Sequence, residues 1–208
     1  EYKLIPRNRV MIKKFTLLFT MLTLSIGMLS AQSAEQEIRS MLDERDEEIK
    51  ELLGPEGNQY TQEQRDRLKT IINDIIDYRS MARQALGSTF EEISEEERDE
   101  FVNLFSTIIR DNSLNRLDIY RAEVTYDEIA INDGRANVRT TAQLENVRTS
   151  VDYTMERNNG SWVITDMSID EVSTAESYNR QFQSIIRQHG FDALMQSLQR
   201  RAARSSTT

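Results

Sequence analysis

The sequence predicts an α+β protein, with helices packed on one face of a twisted four-stranded antiparallel sheet that a fifth strand could extend. Three observations lead to this fold class. Apolar residues recur at helical spacing up to about Tyr120. They then alternate with polar residues to Ile169, and helical spacing returns from Ser173. The turns between the strands are too short for parallel crossovers, so the sheet should be antiparallel. No linker or repeat divides residues 32–208, which we expect to form a single domain.

The first part of the chain is predicted to be removed on export. Residues 1–10 precede the first methionine and are expected to be upstream or cloning-derived. Residues 11–31 combine two lysines, an apolar run from Phe15 to Leu29 and small residues, which are the three parts of a secretory signal peptide. The apolar run of about 15 residues is shorter than the roughly 20 that span a bilayer, which disfavours a membrane anchor. We expect cleavage after Ala31, with Ser33 as the alternative.

The remaining chain is acidic and has no cysteine. Residues 1–31 carry five basic side chains and one acidic side chain, so the rest keeps 21 basic and 34 acidic ones and a net charge of −13. Such a surface repels nucleic acids and anionic bilayers, so we expect no nucleic-acid partner and only transient membrane contact. The lack of cysteine rules out a lipid anchor on cysteine, disulfides and zinc–thiolate sites. These features predict a soluble protein of the bacterial periplasm.

Capping signals divide the helical segments. The first helix of the mature chain should end near Leu53, where the glycine- and proline-containing stretch "GPEGN" follows. A capping box at Thr61 opens a second helix, which we expect to continue to Leu86 and to end at Gly87. A further capping box at Ser94 opens a third helix.

The period-two region predicts four strands joined by tight turns. In the second strand the inward side chains are mostly small, and in the last strand Trp162 and Ile164 lie on one face, opposite Val163, Met167 and Ile169. Such a sheet, opposed by helices that carry Met and Phe, either leaves a cavity or belongs to an ordinary close-packed core, and periodicity alone favours the core. The predicted strands cover residues 124–131, 135–144, 149–155 and 161–169.

Helical spacing returns in two C-terminal helices. A capping box at Ser173 opens the first of them, and the pair His189-Gly190 ends it. Three arginines, Arg200, Arg201 and Arg204, form a flexible basic tail in our prediction. They complement the dipole of the last helix, and the alternative is a patch that binds a phosphate headgroup.

Catalytic chemistry has little support in this sequence. His189 is the single histidine, and its place before a glycine is typical of a helix C-terminus. Without a second histidine or any cysteine, we expect no metal site built from these residues. No nucleophile elbow, phosphate-binding glycine loop or dinucleotide fingerprint is present. The acidic runs 43–48 and 91–100 are typical of solvated helix faces.

The stretch "IIDYRSMARQALG", residues 75–87, raises one further question. Asp77 lies in an apolar, helix-forming run, and it could be a buried catalytic acid, half of an ion pair or a structural residue. It lacks a histidine partner, which argues against catalysis.

The ordered motifs of the mature chain resemble the MlaC family. The resemblance is carried by "IIDYRSMARQALGSTFEEISEEERDEFVNLFSTII", followed by "VTYDEIAI", "VRTT", "VDYTM", "SWVITDMSIDEVSTAESYNRQFQSII" and "HGFDALMQSL". It covers residues 36–199. Members of this family are periplasmic phospholipid-binding components of the Mla transport system, also known as toluene-tolerance proteins, and they are not enzymes.

The resemblance implies a soluble shuttle that holds acyl chains in an apolar pocket between helices and sheet. It implies two partners: an inner-membrane ABC transporter with an MCE-domain subunit, and an outer-membrane lipoprotein complex that maintains lipid asymmetry. No cofactor is implied besides the bound phospholipid. The alternatives are an exported protein-binding or chaperone-like module with a filled core and, third, an enzyme on a cone-shaped α+β fold.

The resemblance also gives roles to individual residues. Asp77, Tyr78 and Gly87 are interpreted as structural, with Asp77 accepting hydrogen bonds or pairing with an arginine. The pocket residues are predicted from inward apolar positions. They are Met81, Leu86, Phe101, Phe105, Val138, Ala142, Val151, Tyr153, Trp162, Ile164 and Phe182.

Overall fold

The computed structural model describes residues 10–57, 60–114 and 117–205 and, for residues 10–31, 113, 114, 118 and 205, the backbone alone. Within these ranges the chain forms seven α-helices, one 3-10 helix and five strands. The helices are α1 (Val10–Leu53), α2 (Gln62–Asn73), α3 (Tyr78–Leu86), α4 (Thr89–Glu92), α5 (Glu95–Leu114), the 3-10 helix (Leu117–Arg121), α6 (Thr174–His189) and α7 (Phe191–Ser205). The strands are β1 (Glu123–Asn132), β2 (Arg135–Leu144), β3 (Val147–Asn158), β4 (Ser161–Ile169) and β5 (Val172–Ser173).

The two ends of the chain leave parts of the prediction open. Residues 1–9 and 206–208 lie outside the described residues, and so do the side chains of the predicted signal peptide. Cleavage near Ala31 therefore stays a prediction. The three arginines of the predicted tail belong to α7, which continues to Ser205. No helix among the described residues is long and apolar enough to cross a membrane.

The sheet confirms the predicted fold class. Its strands follow the chain order β1-β2-β3-β4-β5, and every neighbouring pair is antiparallel. The expected fifth strand is the two-residue β5, which pairs with the end of β4. Two hairpins turn at Asp133-Gly134 and Asn159-Gly160, all four with positive φ, as two-residue hairpin turns require.

The prediction of one continuous helix from Thr61 to Leu86 is wrong. The chain leaves the helical conformation after Asn73, and residues 74–77 separate α2 from α3. There the Ile164 amide donates to the Ile75 carbonyl at 2.7 Å, and the Asp77 amide donates to the Ile164 carbonyl at 2.8 Å. These backbone groups are bonded to β4, so they cannot also continue a helical ladder.

The prediction that Met167 and Ile169 lie opposite Trp162 and Ile164 is also wrong. A β-bulge at Thr165 places one extra residue in β4, and the strand faces exchange there. On both sides of the bulge, these four side chains pair with alternate residues of the same face of β3. As a result, nearly all large apolar side chains of β4 lie on one face of the sheet.

The helices have a core of their own. Phe101, Phe105 and Phe182 are buried, and the centroids of their rings lie 5.8–6.1 Å apart. Tyr178 packs edge-on against Phe105 at 5.3 Å. This cluster, formed by α3, α5, α6 and α7, meets the sheet through Ile76, which contacts both cores.

The part of α1 from Ala34 onward lies across the sheet. Ala34 and Ile38 are buried against it. One guanidinium nitrogen of Arg157, Nη2, donates to both carboxylate oxygens of Glu37, at 2.9 and 3.0 Å, and this ion pair links the start of the segment to β3. The core under α1 also contains Ile75, Ala136, Val138, Met155, Trp162 and Ile164.

Candidate functional site

The inner face of the sheet, which carries the core under α1, is covered over only part of its length. Near the Asp133-Gly134 and Asn159-Gly160 turns its side chains are buried by α1 and by residues 75–76. Ala136, Val138 and Met155 are at most 1% exposed. We call this part the closed half. It comprises Ile131, Ala136, Val138, Met155, Trp162 and Ile164.

Towards the other end of the strands the same face becomes exposed. The register of the three central strands places Ala142, Val151 and Ile169 on this face, and none of them is buried. Val147 is 64% exposed and Ile169 is 45% exposed. We call this part the open half. It comprises Val124, Ala142, Leu144, Val147, Val151 and Ile169.

The exposed apolar residues are not scattered. All five large hydrophobic side chains that are exposed among the described residues lie at the open end of the sheet or next to it in the chain. An apolar surface of this kind is unusual for a chain with 29% charged residues, and contiguous exposed apolar patches mark binding sites. The five residues are Ile119, Val124, Val147, Ile169 and Val172.

Tyrosines lie at the boundary between the two halves. The hydroxyl of Tyr126 bonds to the Asp43 carboxylate of α1, and burial together with this bond raises the pKa of Tyr126. Tyr153, half-buried on β3, has its pKa raised to about 12, chiefly by burial.

The open half can bind an apolar ligand. Its six side chains are aliphatic, and Thr149, which pairs with Ala142 on the same face, adds one hydroxyl; none of these groups is an acid or a base. Among the described residues, no group of three or more His, Asp or Glu side chains is arranged to hold a metal ion. Burial of aliphatic surface is the interaction that this arrangement offers.

The predicted pocket residues fall into three groups. Met81, Leu86, Phe101, Phe105 and Phe182 lie in the core of the helices, and Val138, Trp162 and Ile164 lie in the closed half. Ala142 and Val151 lie in the open half, and Tyr153 lies at its boundary.

Sequence reasoning missed other residues of the open half. Val124, Leu144, Val147 and Ile169 complete it. Leu144 and Val147 were predictable from the sequence. Alternate residues of a strand lie on the same face of the sheet, and the two-residue turn at 145–146 keeps this alternation from Ala142 into β3. Ile169 and Val124 were not predictable in this way. Ile169 lies on the inner face because of the bulge in β4, and Val124 because of a second bulge in β1, at Asp127.

The structure places Asp77 at the N-cap of α3. Its carboxylate accepts hydrogen bonds from the Ser80 amide at 3.0 Å and from the Ser80 hydroxyl at 2.8 Å. The adjacent Tyr78 is buried, and its hydroxyl donates to the Asn73 side chain at the end of α2. The pair thus joins the two helices across the break.

Gly87 ends α3 with a φ of +63°. A Cβ at this position would lie 2.8 Å from the side-chain nitrogen of Asn179 in α6. That nitrogen donates to the carbonyls of Gln84 and Ala85, both at 3.3 Å. The glycine therefore allows α6 to cap the last turn of α3.

Two predicted features lie outside the open half. His189 is exposed in the last turn of α6, where Gly190 follows as the C-cap. Arg201 of α7 lies 6.0 Å from the ring centre of Tyr178, on the side of the helical core.

Comparisons with known proteins agree with this architecture. The model of the MlaC protein family matches residues 32–200. A solved structure of the phospholipid-binding protein from Ralstonia solanacearum, in complex with a phospholipid, superposes with a TM-score of 0.68 at 21% sequence identity, over 82% of this chain and 97% of that chain. No curated protein matches the chain significantly.

Proposed function

The chain belongs to the MlaC protein family, and on that premise we propose that it is a periplasmic phospholipid carrier without enzymatic activity. The observation that carries this proposal is the open half of the sheet, where six aliphatic side chains share one face, three of them exposed and three only partly buried. The solved relative with this fold was crystallised with a phospholipid, which supports the same ligand class here.

The energetics of lipid transfer explain why such a surface is useful. Each methylene group in water costs about 0.8 kcal/mol, so two acyl chains cost on the order of 20 kcal/mol. A phospholipid therefore does not cross an aqueous space unaided at a useful rate. An aliphatic sheet face that replaces the bilayer interior removes most of this cost, so transfer between membrane and carrier is close to neutral.

Neutral transfer has no direction of its own, so partners must supply it. We propose an inner-membrane ABC transporter with an MCE-domain subunit at one end and an outer-membrane lipoprotein complex at the other, together supporting outer-membrane lipid asymmetry. The net charge of −13 on residues 32–208 supports transient membrane contact, because anionic bilayers repel it. A signal peptide cleaved near Ala31 would deliver the protein to the periplasm.

A tryptophan in the open half tests the proposed site. Ala142→Trp places an indole on the inner face, where it occupies the space of acyl chains, whereas Ala130→Trp adds the same group to the outer face of β1. After incubation with phosphatidylethanolamine liposomes, we expect native mass spectrometry to show at least fivefold less lipid per chain for Ala142→Trp and no change for Ala130→Trp. Equal lipid content in both variants would place the ligand elsewhere.

The protein-binding alternative keeps one specific observation in its favour. The aromatic core of the helices is filled by Phe101, Phe105 and Phe182, so this layer leaves no space for a ligand among those rings. A protein that used the open half only to contact other proteins would carry no stoichiometric lipid. The lipid content of the purified chain distinguishes the two functions.

A further inference from the structure

An aromatic side chain ends the open half of the sheet on its inner side. The residues of β2 that face the open half are small or aliphatic, namely Thr140, Ala142 and Leu144. The inner-face residues of β3, taken from the open end inwards, are Val147, Thr149, Val151, Tyr153 and the buried Met155. Tyr153 is therefore the first aromatic ring that a ligand meets along this pair of strands.

Tyr153 lies across the space between the sheet and the helices. It packs against the core under α1, yet it is only half-buried. Burial raises its pKa to about 12, and Tyr120 of the 3-10 helix and Asp46 of α1 contribute to the shift. Since such an influence falls off with distance, the hydroxyl points away from the sheet towards these two elements. The ring thus separates the open half from the closed half.

Tyr126 supports this position from β1. It pairs with Thr140, one residue pair nearer to the open end than Tyr153. Its hydroxyl bonds to the Asp43 carboxylate of α1, and the guanidinium carbon of Arg39, also in α1, lies 4.5 Å from the centre of its ring. These two contacts hold the ring between β1 and α1. We call Tyr126 and Tyr153 the tyrosine wall.

We propose that the tyrosine wall ends the acyl site and so limits the length of the acyl chains that the protein carries. The inference rests on the proposed function and adds a selection by chain length to it. Behind the wall, Ala136, Val138 and Met155 are at most 1% exposed, so packed side chains already occupy the closed half. The aromatic core of the helices is filled as well. A chain that reaches the wall therefore meets packed side chains in both directions.

The distance from the open end to the wall sets the limit. The positions of Val147 and Tyr153 differ by six, and at a rise of about 3.4 Å per residue these six steps span about 20 Å. An extended acyl chain advances about 1.3 Å per carbon, because its bonds of about 1.5 Å form a zigzag, so about 16 carbons reach the wall. Each further methylene group that stays in water weakens binding about fourfold.

Phosphatidylethanolamines of graded chain length test the proposal. The protein is equilibrated with liposomes that contain equal amounts of such lipids, each with two identical monounsaturated chains of about 14 to about 22 carbons. Native mass spectrometry then counts the lipids that each protein has bound. For the wild-type protein, we expect lipids with chains of about 20 carbons or more to be bound at least tenfold less than lipids with about 16.

Two substitutions should move the limit in opposite directions. Val151→Phe places a ring two residues closer to the open end, about 7 Å before the wall, and should shorten the longest accepted chain by about five carbons. Tyr153→Ala removes the ring and should admit chains that are at least two carbons longer. Tyr153→Phe keeps the ring and should keep the wild-type limit. Thr154→Phe is the matched control for the added ring, because Thr154 is exposed on the outer face of β3.

The other outcomes overturn the tyrosine wall. They are the same length limit in Val151→Phe, Tyr153→Ala and the wild-type protein, a shift in Thr154→Phe as large as that in Val151→Phe, and equal binding of all chain lengths by the wild-type protein. Val151 is not buried, so its variant decides the question even where Tyr153→Ala loses stability. A protein that binds lipid regardless of chain length refutes the wall alone, whereas a protein that binds none of the lipids refutes the carrier function.

Discussion

At the scale of single residues, Asp77 has a structural task that is open to measurement. Its carboxylate accepts two hydrogen bonds from Ser80 at the start of α3. Replacing an N-cap aspartate by alanine costs about 1 kcal/mol, so Asp77→Ala should lower the free energy of unfolding by about that amount in urea titrations. Asp77→Asn keeps an acceptor and should cost less. Lipid content should be unchanged in both variants, and a loss of lipid without a loss of stability would give Asp77 a ligand role instead.

The role of Asp77 was predictable from the sequence only in part. The absence of a histidine partner disfavoured catalysis, and the spacing of Asp77 and Ser80 fits an N-cap. The helix start was nevertheless missed, because the apolar residues on both sides keep helical spacing through the break. The competing hydrogen bonds come from Ile164, which is 87 positions further along the chain.

At the scale of elements, β3 spans both halves of the inner face. Substitutions in its closed half should lower the free energy of unfolding more than substitutions in its open half. Met155 is fully buried in the closed half, and Val147 is 64% exposed in the open half. Met155→Ala should lower the free energy of unfolding by about 2–5 kcal/mol. Val147→Ala should change it by less than about 0.5 kcal/mol. Urea unfolding of the two variants checks this, and similar costs would show that the open half is packed like the core.

Helices and strands were predictable because periodicity is a local property of the chain. The capping boxes at Thr61 and Ser94 are present in the structure, and all four long strands form within three residues of the predicted bounds. The β-bulges at Asp127 and Thr165 were not predictable, since a single extra residue leaves the polar and apolar composition unchanged while it exchanges the faces of the strand.

The candidate site was predictable only in part, for a related reason. A pocket wall and a packed core have the same apolar composition, and they differ in what covers them. Phe105 and Val151 both occupy apolar inward positions in the sequence. In the structure, Phe105 is enclosed by other aromatic rings, whereas Val151 lies in the open half of the sheet. Coverage depends on where α1 and α6 lie, which is a property of the tertiary structure.

At the scale of the whole molecule, buried tyrosines predict a loss of stability in alkali. The pKa values of Tyr78 and Tyr153 are raised to about 12 in the folded protein, chiefly by burial, whereas the unfolded chain releases these protons near pH 10. The folded state therefore holds more protons between the two values, and the free energy of unfolding falls as the pH rises from 10 to 12. Urea unfolding across this range measures the decline. Tyr78→Phe should make it shallower, and a stability that is constant up to pH 12 would contradict the burial of these hydroxyls.

The measurement that tests the central claim most directly is native mass spectrometry of residues 32–208. The protein is expressed with its own N-terminal segment, so that it is exported to the periplasm, and it is purified without detergent. The open half of the sheet predicts a mass excess of one phospholipid for each chain, with the lipid identified by extraction of the same sample. A chain that has the mass of the protein alone, and keeps that mass after incubation with liposomes, would contradict the carrier function.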